Sequence, residues 1–468
     1  MSLLLIERAN QGEIAIRPRA GEQYRFHFDM SKCIGCRCCE VACAEQNGNP
    51  LEINWRRVGE IEGGSYPFTQ RFYLSMGCNH CLEPSCLIGC PVDAFTKDSA
   101  TGLVLHSTDS CVGCGYCTWN CPYGVPQYNP ARGVVGKCDM CFGRLSQERA
   151  PACVDACPEK AIEIELVNIA EWRSDYQSAN APGLPPAEQT ISTTRITLPQ
   201  KISPHLERAD YHRVRPEDPH LPLVAMLVLT QLSAGAFLGL ALLKTQGPVV
   251  TAAALIVAFL SLAASTLHLG RPIHAFRALR MWRRSWLSRE VLLFSLFAAV
   301  AAASVAVPAL IPVAALLGLA GIAASAMIYL VPARPAWNNQ STVADFYLTA
   351  LLLGPLFLAL FGVGVPPLAT CAVSVAQLLN CLLKLIAMAS SEEFELHASV
   401  RLLAHDLRTP FVVRLALLIA GGIVLPLSGH AGMGFWLALA GELVSRYLFF
   451  VSVVPKNMAA SFFSRGAV

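Results

Sequence analysis

Cysteine spacing constrains this chain more than any other feature of its 468 residues. Sixteen of the 19 cysteines fall into four groups of four, all before residue 160. The groups are Cys33, Cys36, Cys39 and Cys43; Cys78, Cys81, Cys86 and Cys90; Cys111, Cys114, Cys117 and Cys121; and Cys138, Cys141, Cys153 and Cys157. Four thiolates form the ligand set of one [4Fe–4S] cluster, so the spacing predicts four clusters and a carrier of single electrons.

The first and third groups have the spacing C-x2-C-x2-C-x3-C, which is typical of bacterial ferredoxins. In that run the fourth cysteine ligates the other cluster of a pair, so we expect crossed ligation. The predicted ligand sets are Cys33, Cys36, Cys39 with Cys157; Cys138, Cys141, Cys153 with Cys43; Cys78, Cys81, Cys86 with Cys121; and Cys111, Cys114, Cys117 with Cys90. Zinc ribbons use separated C-x2-C pairs and disulfides need an oxidising compartment, which disfavours both alternatives.

Two basic residues, Lys137 and Arg144, flank the first half of the fourth group. We expect them either to raise the potential of a nearby cluster or to be solvated surface charges, and the sequence leaves both roles open.

Composition divides the chain near residue 215. The first part is polar and holds the cysteine groups, whereas the second consists of long apolar stretches. A net charge of +3, without any basic run interleaved with aromatic residues, argues against nucleic acid as a partner. The first residues, MSLLLIERANQGE, have no basic segment ahead of an apolar one and no twin arginine, so we expect no secretory signal.

We therefore predict a two-part fold: an α+β domain like a double bacterial ferredoxin, then an all-α membrane domain of about eight transmembrane helices. The electron-transfer domain is predicted over residues 1–165, a Pro/Ser/Thr-rich linker over 166–218 and a polytopic membrane anchor over 219–468. The alternating stretch QYRFHF, before the first cysteine group, predicts a β-strand.

Apolar stretches of about 20 residues, long enough to cross a bilayer, recur eight times. The predicted spans are 221–243, 249–270, 289–306, 309–331, 345–365, 368–390, 410–428 and 432–454. An even number of spans leaves both ends of the anchor on one side. The arginine-rich loop between the second and third spans lies on that side, which the positive-inside rule assigns to the cytoplasm. We expect a multi-pass inner-membrane protein with its iron–sulfur domain facing the cytoplasm.

Ionisable side chains at membrane depth are costly and are therefore candidates for function. His268 ends the second predicted span and Glu290 opens the third, both on the arginine-rich side. Arg271 and Arg289 flank this pair and are expected either to hold Glu290 ionised or to bind lipid phosphate. His268 is the only histidine within a predicted span, so the sequence predicts no haem, which needs axial histidines inside the bilayer.

Charged residues also lie in the later predicted spans, three of them in the sixth and the last. Glu442 and Arg446 are four residues apart in the last span, which predicts an ion pair on one helix face. Lys384 lies near the end of the sixth span and is expected to extend towards the near interface.

Two parts of the chain resemble the dimethyl sulfoxide reductase family. Residues 30–165 are similar to its iron–sulfur subunit in the stretches SMGCNHCLEPSC, CVGCGYCTWNCPYGVPQYNP, KCDMCFGRL and PACVDACP. Residues 216–455 resemble its membrane anchor in PEDPHLPLVAMLVLTQLSAGAF, STLHLGRPIHAFRALRMWRRSWLSREVL, YLVPARPAWNN and GELVSRYLFF. The chain departs from the family pattern because two usually separate subunits are fused here.

The resemblance implies a molybdenum oxidoreductase complex. Its catalytic subunit, with a bis-pterin molybdenum cofactor, would be a separate chain, and the anchor would exchange electrons with menaquinone or ubiquinone. The quinol-site histidine and acid of the family correspond to His268 and Glu290 through the motifs STLHLG and SREVL. The present chain would then carry electrons through four clusters without performing substrate chemistry itself.

Two directions of electron flow remain open. The expected absence of an export signal and the cytoplasmic placement favour a sulfite dehydrogenase-like complex that passes electrons from a donor to quinone. The alternative is a dimethyl sulfoxide reductase-like complex that reduces an S- or N-oxide with quinol electrons. A redox-driven ion transporter with a ferredoxin input is a remote alternative, because it would need charges through the middle of several spans.

Overall fold

The computed structural model describes residues 17–203, 206–208, 214–244 and 247–457. These residues form two compact units. One unit contains the described residues before 213 together with residues 456 and 457, and the other contains residues 214–455. Arg208 donates a hydrogen bond to the backbone carbonyl of Asn457 over 3.4 Å, so the chain returns to the first unit after the second is complete.

Small sheets, mostly antiparallel, build the first unit. Its strands are β1 (Glu22–Asp29), β2 (Arg57–Ser65), β3 (Phe68–Met76), β4 (Phe95–Lys97), β5 (Val104–His106), β6 (Gln127–Asn129), β7 (Val134–Gly136), β8 (Ile162–Asn168), β9 (Arg195–Thr197) and β10 (Leu206–Arg208). β1 is the strand predicted from QYRFHF, and it pairs antiparallel with β8 from Glu22 opposite Asn168 to Phe28 opposite Ile162. β2 and β3 form a hairpin with β10 alongside β2, and β4–β5 and β6–β7 are two short hairpins.

Short helices carry many of the cysteines between these strands. They are α1 (Cys38–Asn47), α2 (Ser85–Gly89), α3 (Tyr116–Asn120), α4 (Phe142–Leu145), α5 (Ala152–Asp155) and α6 (Ile169–Asp175). The buried side chains Tyr24, Phe26 and Phe28 of β1 pack in the same core as Cys39 and Cys153. The cysteine-bearing loops are therefore held against a sheet whose aromatic side chains exclude water.

Much of the predicted linker belongs to the folded first unit. β8 continues to Asn168, and β9 pairs parallel with β1, with His27 opposite Arg195. The hydroxyl of Thr194 donates to the side-chain oxygen of Asn79 over 2.9 Å, and both residues are buried. The linker prediction is wrong for residues 166–203, because polar residues that suggest a solvated linker here satisfy buried groups of the cysteine-bearing loops.

The described part of the second unit contains eight helices long and apolar enough to cross a membrane, which confirms the predicted fold class. Its helices are α7 (Leu221–Leu242), α8 (Pro248–Leu267), α9 (Trp286–Ala306), α10 (Ile311–Tyr329), α11 (Gln340–Ala359), α12 (Pro367–Ala389), α13 (Phe394–Ala404), α14 (Arg408–Ile419), α15 (Leu425–Leu427) and α16 (Ala431–Val451). A π-helical turn, Ala420–Val424, joins α14 and α15 into one span, and 3-10 turns cover Pro272–Leu279 and Pro308–Leu310. α13 lies between the sixth and seventh spans.

α7 is the central helix of the membrane unit, because it packs against α8, α10, α11 and α16. Its contact with α11 is a direct approach of two backbones at Gly235 and Gly354. A Cβ atom on Gly354 would lie 2.1 Å from the carbonyl carbon of Gly235. Small residues permit such close helix packing in membranes, where van der Waals contact replaces the hydrophobic drive between helices.

α9 and α11 begin three and five residues earlier than predicted. α11 starts at Gln340, capped by the side chain of Asn339, so Asp345 lies inside the fifth span instead of at its start. α9 starts at Trp286, which places Glu290 in its second turn. Both charged residues therefore lie inside their helices. Hydropathy alone assigns a charged residue to the boundary of a span, but burial and local hydrogen bonding can accommodate it within the span.

A buried hydrogen-bond network links the later spans. The carboxylate of Glu442 accepts bonds from Gln377 over 2.8 Å and from the hydroxyl of Thr349 over 2.7 Å. The guanidinium of Arg446 donates to the same hydroxyl over 3.1 Å and to Gln231 over 3.0 Å. No ion pair within 4.0 Å joins Glu442 to Arg446 among the described residues, so the predicted direct pair is replaced by a bridge through Thr349.

Candidate metal centres and quinone site

Four cysteines predicted to share a cluster line one cavity in the first unit. They are Cys33, Cys36, Cys39 and Cys157, and the cavity is also bordered by Val58 and Ile162 of the neighbouring strands. Burial raises the pKa of the Cys33 thiol, and the charges of Cys157 and Cys36 raise it further. The fourth cysteine of the last group has thus been brought beside the first group, as crossed ligation requires.

The partner set shows the same crossing. Burial raises the pKa of Cys43 to about 12, and the charges of Cys153 and Cys141 add to this increase. Burial also raises the pKa of Cys138 well above its usual value, with Cys43 as the largest charged contributor. Cys43 of the first group therefore lies among the three cysteines of the last group that the spacing predicts.

The two middle groups exchange their fourth cysteines in the same way. Burial raises the pKa of Cys86 well above its usual value, and the largest charged contribution comes from Cys121, followed by Cys78. Burial likewise raises the pKa of Cys114 to about 12, with further increases from Cys90 and Cys111. Thiols buried so close together are unfavourable as free thiolates, and iron is the partner that stabilises them as such.

Backbone N–H groups point at the sulfur atoms in a repeated pattern. The first cysteine of a group accepts a hydrogen bond from the residue two positions later: Cys78 from His80 over 3.5 Å, and Cys138 from Met140 over 3.4 Å. Gly113 makes the same bond to the first cysteine of the third group, and it has a φ of 70°. Hydrogen bonds to ligand sulfur stabilise the negative charge of a cluster, so this backbone fits [4Fe–4S] binding.

The fourth cysteines of the middle groups are turned away from their own groups by proline. Cys90 follows α2, Cys121 follows α3, and both have extended backbone angles. Pro91 and Pro122 come next in the sequence, and a residue before proline is driven out of the helical conformation. The C-P pairs thus end each short helix at the ligand that reaches the other cluster.

Two buried cations lie between the groups. Arg56 is 2% exposed, its Nε and one terminal nitrogen have no hydrogen-bond partner among the described residues, and the charges of Cys153, Cys39, Cys138 and Cys43 act on it. Lys137 is 3% exposed, and its ammonium nitrogen lies 3.7 Å from the sulfur of Cys78. Burial alone would lower the pKa of Lys137, but the charges of nearby cysteines outweigh it and raise the pKa.

Sequence reasoning identified Lys137 and missed Arg56. Lys137 precedes a ligand directly, whereas Arg56 reaches the cysteines only because β2 is paired with β3 and its guanidinium donates to the carbonyl of Ser75 over 3.1 Å. Arg144, which also flanks the last group, instead pairs with Asp155 and donates to the carbonyl of Ala150 over 2.6 Å.

The cysteine groups also approach one another in a definite order. Cys153 acts electrostatically on Cys39, which connects the first pair of sets. Cys78 acts on Cys138, and Cys86 acts on Cys117. The four sets therefore form a series that starts at Cys33, passes through the sets of Cys138 and Cys78, and ends at the set of Cys111.

Glu290 lies in α9 and is buried, with 6% of its surface exposed. The residue beside it is Ser325 of α10, which is also buried. One carboxylate oxygen of Glu290 and the Ser325 hydroxyl lack hydrogen-bond partners in the part of the chain that the structure describes. Unsatisfied buried oxygens of this kind are available to a polar ligand.

His268 follows α8 directly as its C-terminal cap and is partly buried. Its Nδ1 atom is buried without a hydrogen-bond partner in the described ranges. His220, at the start of α7, is close enough to act on it electrostatically. Among the described residues, neither a hydrogen bond nor an ion pair joins His268 to Glu290, and their shared role at a quinone site stays a prediction.

The two arginines of the candidate quinone site have different surroundings. The Arg289 guanidinium donates to the backbone carbonyls of Trp282 and Arg283 over 3.1 and 2.8 Å, and it stacks on Trp286 at 4.2 Å. These contacts hold Arg289 against the loop before α9, and no ion pair within 4.0 Å joins it to Glu290 among the described residues, so its role stays a prediction. Arg271 is partly buried at the start of the 3-10 turn, and its role stays a prediction.

Comparison with known proteins matches both units. Residues 69–166 match the family model of a 4Fe-4S dicluster domain. Residues 217–451, about half of the sequence, match the model of the DMSO reductase anchor subunit (DmsC). This polypeptide belongs to the dimethyl sulfoxide reductase family. Within this family it unites an iron–sulfur part and a membrane anchor, so the predicted fusion is confirmed.

Curated relatives of the dimethyl sulfoxide reductase family align with the iron–sulfur part. One chain of the anaerobic dimethyl sulfoxide reductase of Haemophilus influenzae is 38% identical over 178 residues, which cover 36% of this chain and 86% of that protein. Its counterpart in Escherichia coli strain K12 is 38% identical over 176 residues, covering 36% and 85%. One subunit of the sulfite dehydrogenase of Allochromatium vinosum is 34% identical over 160 residues, covering 30% and 67%. The present family member is therefore an iron–sulfur electron-transfer subunit fused to a multi-pass membrane anchor.

Proposed function

We propose that this chain carries electrons between a separate molybdenum bis-pterin catalytic subunit and the quinone pool, through four [4Fe–4S] clusters. The observation that carries the proposal is the arrangement of sixteen cysteines in four crossed sets that approach one another in series. Single electrons pass readily along a series of cysteine-bound clusters, whose potentials are set by hydrogen bonds and nearby charge. Arg56 and Lys137 supply that charge at the junctions.

The proposed quinone site uses His268 and Glu290. Quinone reduction takes up two protons with two electrons, and quinol oxidation releases them, so in either direction the site needs groups that exchange protons within hydrogen-bond reach of the quinone oxygens. The Nδ1 atom of His268 and one carboxylate oxygen of Glu290, both without a partner among the described residues, are such groups.

The proposed direction of flow is from a cytoplasmic donor to quinone, as in a sulfite dehydrogenase-like complex. Reduction of an S- or N-oxide by quinol is the second candidate, and the higher identity to dimethyl sulfoxide reductase chains favours it. Measuring the steady-state redox level of the clusters in membranes separates the two. Addition of sulfite should reduce them in the first case, and addition of an S-oxide should oxidise quinol-reduced clusters in the second.

Cluster number is tested by iron and sulfide analysis with EPR spectroscopy of the purified full-length chain. Four clusters give about sixteen irons per chain and four reducible signals. A Cys121→Ser variant should lose the cluster of Cys78, Cys81 and Cys86, whereas Cys381→Ser, in the membrane unit, should lose none. About half the expected iron in the unmodified chain would contradict the four-cluster proposal.

The quinone site is tested with His268→Ala and Glu290→Gln. Each variant should slow cluster reduction by a quinol analogue by about 100-fold, the scale of a lost acid–base group, while iron content and EPR signals stay intact. His430→Ala is the matched control, because His430 is an exposed histidine that precedes α16 on the opposite side of the membrane unit. Unchanged quinol kinetics in both site variants would remove this site from the proposal but leave the cluster series in place.

A further inference from the structure

Four helices of the membrane unit each place one charged residue at a similar depth. Asp345 lies five residues after the start of α11, Lys384 five before the end of α12, Arg414 six after the start of α14 and Arg446 five before the end of α16. Because successive spans run in opposite directions, these four helix ends lie on one side of the unit. At a rise of 1.5 Å per residue, the charges lie roughly 7–9 Å inside the helix ends.

The four charged residues line one cavity of about 60 Å³ within the membrane unit. Apolar side chains complete its wall, among them Leu385, Met388, Phe411 and Phe449. Charged and apolar side chains therefore line the same cavity, and this combination is typical of a small-molecule site.

The positive charges in this cavity exceed the negative charge. Three cations and one carboxylate line the cavity, and the only further carboxylate that acts on Arg446 among the described residues is that of Glu442, which lies behind the lining at the Thr349 bridge. None of the three cations forms an ion pair within 4.0 Å in the described part of the chain. Asp345 accepts a hydrogen bond from Asn380 over 2.7 Å. The guanidinium of Arg414 donates to the sulfur of Cys381 over 3.6 Å. Arg446 is 1% exposed, and its Nε atom has no partner in the described part of the chain.

Unpaired cations at membrane depth are costly, so a site of this charge favours an anionic ligand. Oxygen atoms of a phosphate match the donor groups of arginine and lysine. The apolar wall and the lipid-exposed side chains beside it favour a ligand with hydrocarbon chains over a free ion. Leu382, Leu383 and Ile386 of α12 are 53%, 63% and 55% exposed, and Val412 of α14 is 55% exposed.

We infer that this cavity binds the phosphate headgroup of an anionic phospholipid, with Lys384 and Arg414 as the principal contacts and Arg446 behind them. The acyl chains would lie along the exposed apolar faces of α12 and α14. The site is distinct from the candidate quinone site, whose residues belong to α8, α9 and the loop between them. Basic pockets between transmembrane helices recognise lipid headgroups by this combination of charge and apolar surface.

The test is native mass spectrometry of the full-length protein, purified with its clusters in neutral detergent and depleted of lipid. Phosphatidylglycerol should bind at a stoichiometry of one per chain. Lys384→Gln and Arg414→Gln should each weaken binding by about fivefold or more, the effect of one basic residue near a lipid headgroup. Lys384→Arg should retain binding, and iron content should stay unchanged in every variant.

A control variant and two competing ligands test whether binding is specific to this cavity. Arg408→Gln removes an exposed arginine at the start of α14 that does not line the cavity, and it should leave phosphatidylglycerol binding unchanged. Phosphatidylcholine and millimolar inorganic phosphate should not compete. Equal losses in Arg408→Gln and Arg414→Gln, or equal binding of phosphatidylcholine, would overturn the proposed site. Full displacement by inorganic phosphate would show that the cavity takes a free anion and would overturn the lipid assignment.

Discussion

At the residue scale, the spacing of the cysteines predicts the ligand sets, but it does not predict that two cations are buried between those sets. Lys137 and Arg56 are buried without a carboxylate partner among the described residues, and their counter-charges are thiolates that would carry iron. A buried cation in a low-dielectric region acts strongly on nearby charge. These two residues therefore stabilise the reduced, more negative state of the adjacent clusters.

Replacing Lys137 by glutamine should lower the reduction potentials of the clusters held by the Cys78 and Cys138 sets. The loss of one positive charge a few ångströms from ligand sulfur predicts a decrease on the order of 100 mV. Redox titration followed by EPR measures this shift. Lys137→Arg should restore most of the potential, and Lys201→Gln, at an exposed position of the same unit, should leave it unchanged. Equal potentials in Lys137→Gln and the unmodified protein would contradict this role.

The Thr349 hydroxyl bridges Glu442 and Arg446 by hydrogen bonds. Thr349→Val removes the hydroxyl that donates to Glu442 and accepts from Arg446, and it changes side-chain shape little. We expect a loss of about 1 kcal/mol in stability, because membrane hydrogen bonds contribute modestly. Thermal unfolding in detergent measures this loss. Thr266→Val, whose partly buried hydroxyl bonds only within its own helix, is the comparison and should have little effect. A Thr349→Val protein as stable as the unmodified one would show that the bridge carries no net stability.

At the element scale, periodicity and hydropathy predicted the spans well but placed some of their ends incorrectly. The predicted fifth span begins at Asp345, whereas α11 begins at Gln340 and accommodates Asp345 through a hydrogen bond from Asn380 of α12. That bond depends on a helix about 35 residues further along, which no local window includes. The hydrogen bond between Thr349 and Glu442 cannot be predicted from a local window either, because the two residues lie in different helices far apart in the sequence.

The backbone contact of α7 with α11 gives a prediction at this scale. Gly354→Ala places a methyl group where the backbone of Gly235 now lies, so the helices must separate. The expected cost is about 1–3 kcal/mol, typical of overpacked cores, with a lower midpoint of thermal unfolding. Gly364→Ala is the matched control, since a Cβ atom there meets no atom within 4 Å. A normal midpoint in Gly354→Ala would show that α7 and α11 do not pack as closely as described.

At the scale of the whole molecule, the sequence predicted two units but not where the first one ends. The Pro/Ser/Thr-rich segment after residue 165 has the composition of a linker, yet β9 pairs with β1 and Trp172 is 2% exposed. Composition cannot show that hydroxyl groups satisfy buried polar atoms distant in sequence. The four cysteine sets could be predicted because ligand chemistry fixes the spacing of the cysteines. The packing around them depends on contacts between residues distant in sequence, which spacing does not show.

The even number of spans predicts that both ends of the membrane unit lie on the arginine-rich side. A reporter enzyme fused after Val468 should therefore show cytoplasmic activity, in keeping with the positive-inside rule. A second fusion after Lys244, between the first two spans, should report the opposite compartment. A cytoplasmic result for both fusions, or a reversed result, would contradict the proposed orientation.

The crossed cysteine sets have a consequence for biosynthesis. In the proposed ligand sets, that of Cys33 cannot be completed until Cys157 has been synthesised, whereas the two middle sets are complete once Cys121 has appeared. All sixteen ligands precede Leu221, where the first membrane helix starts. All the proposed cluster ligands can therefore be translated before the ribosome reaches a membrane-inserting segment, and cluster loading and membrane insertion must be coordinated on one nascent chain.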